Sequence, residues 1–154
     1  MAIEIEKKFL VKNDQYKSSA DSALFRQGYL SVKAERTVRV RSYNGKGFLT
    51  IKGKTQSCSR EEYEYDIPAL DAERMLDNLC IRPIIEKVRY FLTYEGYKWV
   101  VDEFLGENLG LVVAEIELES EQQIFGKPEW IGNEVTSESR YFNSNLVNNP
   151  YKEW

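Results

Sequence analysis

Apolar and polar residues alternate along much of this chain, and one face of the alternation is charged. In "AIEIEKKFLV", residues 2 to 11, Ile3, Ile5, Phe9 and Val11 share a face with Lys7, while Glu4, Glu6, Lys8 and Leu10 share the other. A period of two predicts a β-strand. The pattern returns in "RVR" (Arg39, Arg41), "TIKGK" (Lys52, Lys54), "EEYEY" (Glu62, Glu64), "EKVRY" (Lys87, Arg89) and "AEIELES" (Glu115, Glu117, Glu119). The opposite faces carry Ile, Val, Leu, Phe or Tyr, as if they pack against helices.

Between these runs the punctuation is that of hairpins. Asn44-Gly45 joins two extended runs, and both residues tolerate the positive φ that a tight hairpin turn needs. Further turns are expected at Glu95-Gly96 and around Gly106 to Gly110. Asn13 or Asp14 can cap a helix reaching about Leu24, after which "FRQGYLSV" returns to strand. "LDAERMLDNLC" predicts a helix with Met75, Leu76 and Leu79 on one face. The tail, from Gln122 to Trp154, reads as helix and loop, with a helix stopped before Pro150. The prediction is an α+β domain over residues 1–154: roughly eight antiparallel strands closing a barrel, with helices outside and a C-terminal helix.

Composition narrows the chemistry. The chain has 154 residues, 42% apolar and 30% charged, which suits one soluble globular domain. A net charge of −4 gives no reason to expect a nucleic-acid or anionic-membrane partner. Cys58 and Cys80 lack metal or redox spacing and read as free thiols, and no signal peptide is apparent, so a cytoplasmic location is expected. There is no histidine. That excludes Ser-His and Cys-His nucleophile systems and the usual zinc sites, leaving carboxylates, Lys, Arg, Tyr and hard metals.

The charged faces have two readings. One strand with a charged face is ordinarily a solvated edge of a sheet. Six such blocks, each largely of one sign, also fit the inside of a water-filled barrel whose apolar outside is covered. Like charges gathered inside repel unless ligands neutralise them. Clustered Arg and Lys call for a polyanion, and paired Glu for divalent cations bound through oxygen. A polyphosphate with Mg²⁺ or Mn²⁺ satisfies both.

The ordered set of motifs resembles the CYTH domain, the triphosphate tunnel metalloenzyme superfamily. "EIEKK" at residues 4 to 8 matches its E-x-E-x-K signature, and the other five blocks follow in the family's order across the whole chain. The resemblance implies an eight-stranded tunnel that binds a triphosphate with Mg²⁺ or Mn²⁺. It implies that Lys8, Arg39, Arg41, Lys52, Lys87 and Arg89 hold phosphates. Glu4, Glu6, Glu115 and Glu117 would hold one cation, and Glu62 and Glu64 a second. Asp102, on the inward parity of "KWVVDEF", is a further candidate for metal. Lys54 and Glu119 share the parity nearer a tunnel end. Tyr29 and Lys87 resemble a water-activating pair, the alternative for Tyr29 being a packed aromatic at the barrel end.

Phosphoryl transfer needs positioning and charge stabilisation, which such a cage supplies. The implied reaction is hydrolysis of a small-molecule triphosphate, inorganic triphosphate first, with thiamine triphosphate, ATP or an adenylyl cyclase reaction as alternatives. A non-catalytic polyphosphate or nucleotide sensor stays open, as does the choice between monomer and homodimer. A lipocalin-like carrier would want an apolar interior. The tail, with Tyr141, Phe142 and Leu146 at helical spacing, either packs outside or closes one tunnel end.

Overall fold

The structure, a computed structural model, describes residues 2–154. Nine strands appear: β1 (Ile3–Val11), β2 (Asp21–Lys33), β3 (Arg36–Tyr43), β4 (Lys46–Gly53), β5 (Ser59–Ile67), β6 (Ile81–Tyr94), β7 (Tyr97–Phe104), β8 (Val112–Glu117) and β9 (Ile131–Glu134). Neighbours run β5-β4-β3-β2-β6-β7-β8-β1, all antiparallel, and β1 pairs back onto β5. That last pairing closes an eight-stranded barrel and removes its edges. β1 divides its length among partners: Ile3–Ile5 against β5, Glu6–Leu10 against β8, and Phe9 and Val11 against the short β9. The hairpin turns fall as the sequence predicts. Asn44 and Gly45 have φ of 49° and 71°, and Glu95 and Gly96 have 48° and 82°.

Helix is scarcer than the pattern suggested. α1 (Ala69–Asn78) is the only helix of ten residues among those described. It buries Ala72 and Leu76, with Met75 alongside, against Val40, Cys80, Leu49 and Ile67. Leu76→Ala would cost about 2–5 kcal/mol, the usual range for truncating a buried leucine. Leu79 leaves that face: it follows the helix and is exposed. The helix expected up to Leu24 shrinks to a 3-10 turn, Gln15–Ser19. Asp21–Leu24 instead begin β2, because the 14-residue β6 offers them partners from Val88 to Phe91. The helix expected before Pro150 breaks into a 3-10 turn, Ser139–Tyr141, and one α turn, α2 (Asn143–Leu146). β9, in "IGNE", was not expected.

The apolar core therefore lies outside the wall and is covered mostly by irregular chain. Phe9, Trp99, Val101, Ala114 and Ile116 point outward and pack on Tyr16, Trp130 and Ile131. Part of the outside stays bare, since Tyr63 and Tyr65 on β5 are exposed. A second cluster is inside. At one end Tyr29, Ile85, Phe104 and Val113, all on inward parity, pack against Tyr141, Leu146 and Val147 of the tail. The tail thus closes that end of the barrel. No helix among the described residues is long and apolar enough to cross a membrane.

Candidate active site

Inward parity along the strands produces one cavity of about 590 Å³. From β1 it receives Glu4, Glu6 and Lys8; from β2, Tyr29; from β3, Arg39 and Arg41; from β4, Lys52. Glu62 and Glu64 come from β5, Lys87 and Arg89 from β6, and Glu115 and Glu117 from β8. Every site residue named from the sequence lines it except Asp102 and the two end candidates, Lys54 and Glu119, which are exposed. The far mouth is open, lined by Asp21, Phe91, Thr93 and Lys98.

The charges are segregated. On the β1–β8 side, Glu6 stands directly opposite Glu117 and Lys8 opposite Glu115. Lys8 Nζ lies 2.8 Å from Glu115 Oε1 and 3.2 Å from Glu6 Oε1. Lys52 Nζ lies 3.0 and 3.1 Å from the two oxygens of Glu4 and 3.1 Å from Glu62 Oε2. Glu117 has no ion-pair partner among the described residues. Burial disfavours charge on Glu6, and Glu115 adds to it, so its carboxyl is pushed up although Lys8 opposes. Burial and the nearby Glu4 and Glu6 likewise push Glu117 up. Burial also acts against Glu115, but Lys8, Arg89 and Lys87 overcome it and hold that carboxyl well below the usual range. Burial pulls Lys8 down, yet Glu115 and Glu6 outweigh it and keep the ammonium charged.

On the opposite side the cations dominate. Arg39 and Arg41 share one carboxylate, Glu64 Oε2, each at 3.5 Å. Both guanidinium Nε atoms are buried without a hydrogen-bond partner. Burial and the neighbouring Arg39 and Arg89 push Arg41 down from its ordinary range, though a guanidinium stays charged at neutral pH. The Phe25 ring centroid lies 5.2 Å from Arg41 Cζ and 5.1 Å from Arg89 Cζ, and the ring stacks on Tyr43 at 4.1 Å.

Asp102 sits behind this wall rather than on it. Arg89 donates to both its oxygens, at 2.7 and 2.8 Å, and Lys87 Nζ lies 2.9 Å from Oδ2. Burial opposes its charge, but Arg89 and Lys87 more than compensate and depress its carboxyl. Lys87 itself is 1% exposed. Burial, partly offset by Asp102 and reinforced by Arg89, lowers its ammonium to about 7. Its hydrogen bond to side-chain amide is with Asn143 Oδ1 at 2.8 Å. Tyr29 lines the same cavity but is not among the partners of that nitrogen.

Several residues in the cavity escaped the sequence reading. Arg60 is one step of two from Glu62 in "SREEYEY", so parity alone could have found it. Thr50, buried behind the lining, has the parity of Lys52 and donates to Glu64 at 2.8 Å. Phe142, Asn143 and Ser144 arrive with the tail, and no local pattern announces them.

Among the described residues no three carboxylates converge to hold a metal ion as they stand. The ammoniums of Lys8 and Lys52 occupy the oxygens that a cation would use. The donor set nevertheless suits a hard divalent cation: oxygen donors only, Glu6 and Glu117 opposed, and Glu117 unpaired.

What these features describe is a closed antiparallel barrel with a charged interior open at one end. The chain belongs to the CYTH domain family, whose model matches residues 2–151. It is 56% identical to an inorganic triphosphatase of Acetivibrio thermocellus over 154 residues, covering 100% of this chain and 99% of that one. An inorganic triphosphatase of Nitrosomonas europaea is 35% identical over 148 residues, covering 94% and 96%. A crystal structure of an inorganic triphosphatase superposes with a TM-score of 0.67 at 32% identity, covering 93% and 96%. A protein of Pyrococcus horikoshii, at 17% identity, TM-score 0.60 and coverage of 77% and 79%, shares the fold alone.

Proposed function

We propose that this protein is a metal-dependent triphosphatase that hydrolyses inorganic triphosphate to diphosphate and phosphate inside the barrel. The observation that carries the reading is the pair Arg39 and Arg41, two buried guanidiniums sharing one carboxylate, each with an unpartnered Nε. A buried donor without an acceptor is costly, and a phosphate oxygen would satisfy it with a charge-assisted bond. The two relatives named as inorganic triphosphatases support the same substrate.

Arg39, Arg41, Lys52, Lys87, Arg89 and Lys8 hold the phosphate chain, and Arg60 joins them at the β5 wall. Glu4, Glu6, Glu115 and Glu117 hold a Mg²⁺ or Mn²⁺ ion, and Glu62 and Glu64 serve a second. When bound, these ions neutralise phosphate charge and polarise the phosphorus for attack. Phosphate oxygens draw Lys8 and Lys52 off the carboxylates and so release the metal-binding oxygens, making the two ligands cooperative. Asp102 is read as holding Arg89 and Lys87 in place, since both its oxygens are engaged.

Lys87 is the general base. Its neutral amine takes a proton from water as the water oxygen bonds to the terminal phosphorus and the bridging P–O bond breaks, leaving diphosphate. We read Tyr29, which lines the same cavity from the apolar end, as a second polar contact for the water. The tail closes one end to water, and the phosphate chain, once bound, displaces water from the charged walls. A phosphate-release panel of inorganic triphosphate, ATP and thiamine triphosphate, each with Mg²⁺, Mn²⁺ and Ca²⁺, tests the reading. Triphosphate should give the highest kcat/KM, and a higher value for either organic substrate would replace the assignment.

A further inference from the structure

The closed end of the cavity is more than an apolar plug. Asn143, in α2, places an amide on its polar side, beside Ser144. Asn143 Oδ1 accepts two hydrogen bonds, from Lys87 Nζ at 2.8 Å and from Gln27 Nε2 at 2.7 Å. Both neighbours are donors, so the amide orientation is fixed by its surroundings. Gln27 is fully buried on β2. α2 is held from below by Leu146 and Val147, buried against Tyr29, Ile85, Phe104 and Val113. Asn145 and Leu146 donate their N–H groups to Phe142 O, which tightens the turn carrying the amide.

We infer that Asn143 is a positioning residue for Lys87, fixing the direction in which the lysine nitrogen faces the phosphate cavity. The inference rests on the triphosphatase reading and deepens it. An amine nitrogen has three positions besides its carbon. Here Asn143 Oδ1 accepts the hydrogen bond of one N–H, and Asp102 Oδ2 lies 2.9 Å away as an ion-pair partner, which an N–H faces more favourably than a lone pair does. With one N–H held by Asn143 and the other drawn to Asp102, the lone pair of the neutral amine is left the remaining direction. Lys87 lines the cavity, and Phe104, 5.5 Å from the nitrogen, walls another side. The lone pair is thereby turned toward the cavity, where a water beside the terminal phosphate would meet it. With Asp102 alone, the amine can rotate and present an N–H instead. The tail thus reaches the reacting atoms through one side chain, and the order of residues 139–147 is coupled to the direction of the base.

The test is steady-state hydrolysis of inorganic triphosphate with Mg²⁺ by the full-length protein and two variants. Asn143→Ala removes the acceptor; Asn143→Asp keeps an oxygen at the same place. Positioning of a general base predicts that Asn143→Ala lowers kcat about tenfold or more, with KM changed less than about threefold. Asn143→Asp should restore kcat, read on the alkaline plateau of its pH profile, to within about threefold of the wild-type value, because its added charge favours the Lys87 ammonium and moves the limb upward. Wild-type kcat in Asn143→Ala overturns the inference. So does equal loss in both variants, which would mean that shape rather than the acceptor matters. A rise in KM at unchanged kcat also overturns it, making Asn143 a phosphate ligand. If Asn143→Ala does not fold by circular dichroism, Gln27→Met replaces it. That variant removes only the anchor on Oδ1 and should lower kcat at unchanged KM, and wild-type kcat there counts against the inference. Absence of phosphate release by the wild-type protein defeats the triphosphatase reading and this inference with it. An active wild type with indifferent variants defeats the inference alone.

Discussion

Glu6 faces Glu117 across the β1–β8 ladder, two carboxylates directly opposed and both turned into the cavity. Like charges in this position destabilise a sheet. Lys52 offsets the clash at Glu117 only in part, and Glu117 has no ion-pair partner among the described residues. On the proposed reading the pair is a place for a cation, and it gives the metal-free protein a recognisable pH dependence.

Both carboxyls are raised above 4.5 in the folded state. A group with a raised folded value contributes stability that is present below its unfolded value and lost as pH rises through the folded one. Asp102 and Glu115, held low, act oppositely and lose their contribution only as pH falls below about 4, the unfolded carboxylate range. Once pH is below the Lys87 titration near 7, the chelated protein should therefore gain thermal stability as pH falls toward the unfolded carboxylate value of 4.5, then lose it below about 4. Differential scanning calorimetry in chelator checks this. Saturating Mn²⁺ should reverse the upper slope, because it binds the ionised carboxylates.

Removing a lysine should tighten metal binding. Lys8 Nζ bridges Glu6 and Glu115 and competes with a cation for their oxygens. Lys8→Met should lower the Kd for Mn²⁺ in the absence of triphosphate by about threefold or more, while raising KM for triphosphate. Calorimetric titration with Mn²⁺ measures the first effect. Weaker Mn²⁺ binding would show that Lys8 organises the metal site instead of competing for it.

Arg39→Ala and Arg41→Ala separate a binding cage from a solvated sheet. A charge-assisted bond to phosphate contributes about 1.5–3 kcal/mol, so each variant should lose about 10- to 100-fold in kcat/KM. The melting temperature should hold or rise, because each loss relieves crowding between guanidiniums that share only Glu64. Unchanged kinetics in both variants would contradict the cage.

On the proposed mechanism Lys87 sets the acid limb. With its ammonium lowered to about 7 by burial, the neutral base is populated only above that pH. The kcat/KM profile of the free enzyme should rise through about 7 as pH increases. The limb for kcat should lie higher, because bound phosphate favours the ammonium. Lys87→Met should abolish the limb along with most of the activity. A limb that persists in the variant would assign the titration elsewhere.

Strand parity made most of the wall legible in advance, because a barrel needs only the period of two to decide which side chains meet. Glu4 and Glu117, or Arg39 and Lys87, are far apart in the chain and still converge on one cavity. Parity does not say where charge gives way to plug. Leu10, Tyr29, Ile85, Phe104 and Val113 have the same inward parity as the charged residues, but the tail that covers them is irregular. Asn143 depends on that cover and left no signal in "NSNLVNN". The sequence pattern of Asp21–Leu24 predicts helix, and their strand character comes from pairing with β6 and not from their own sequence. Asp102 shares the parity of a ligand, and only its bonds to Arg89 and Lys87 mark it as support.

The central claim is that carboxylate-bound metal and the cation cage act together on one triphosphate. Phosphate release from inorganic triphosphate should be measured after exhaustive chelation, then after adding back Mg²⁺ or Mn²⁺, in the wild-type protein and in Glu6→Gln. The account predicts no release in chelator, full recovery with either ion, one diphosphate formed per phosphate, and little recovery in Glu6→Gln. Undiminished release in the exhaustively chelated wild-type protein would contradict it.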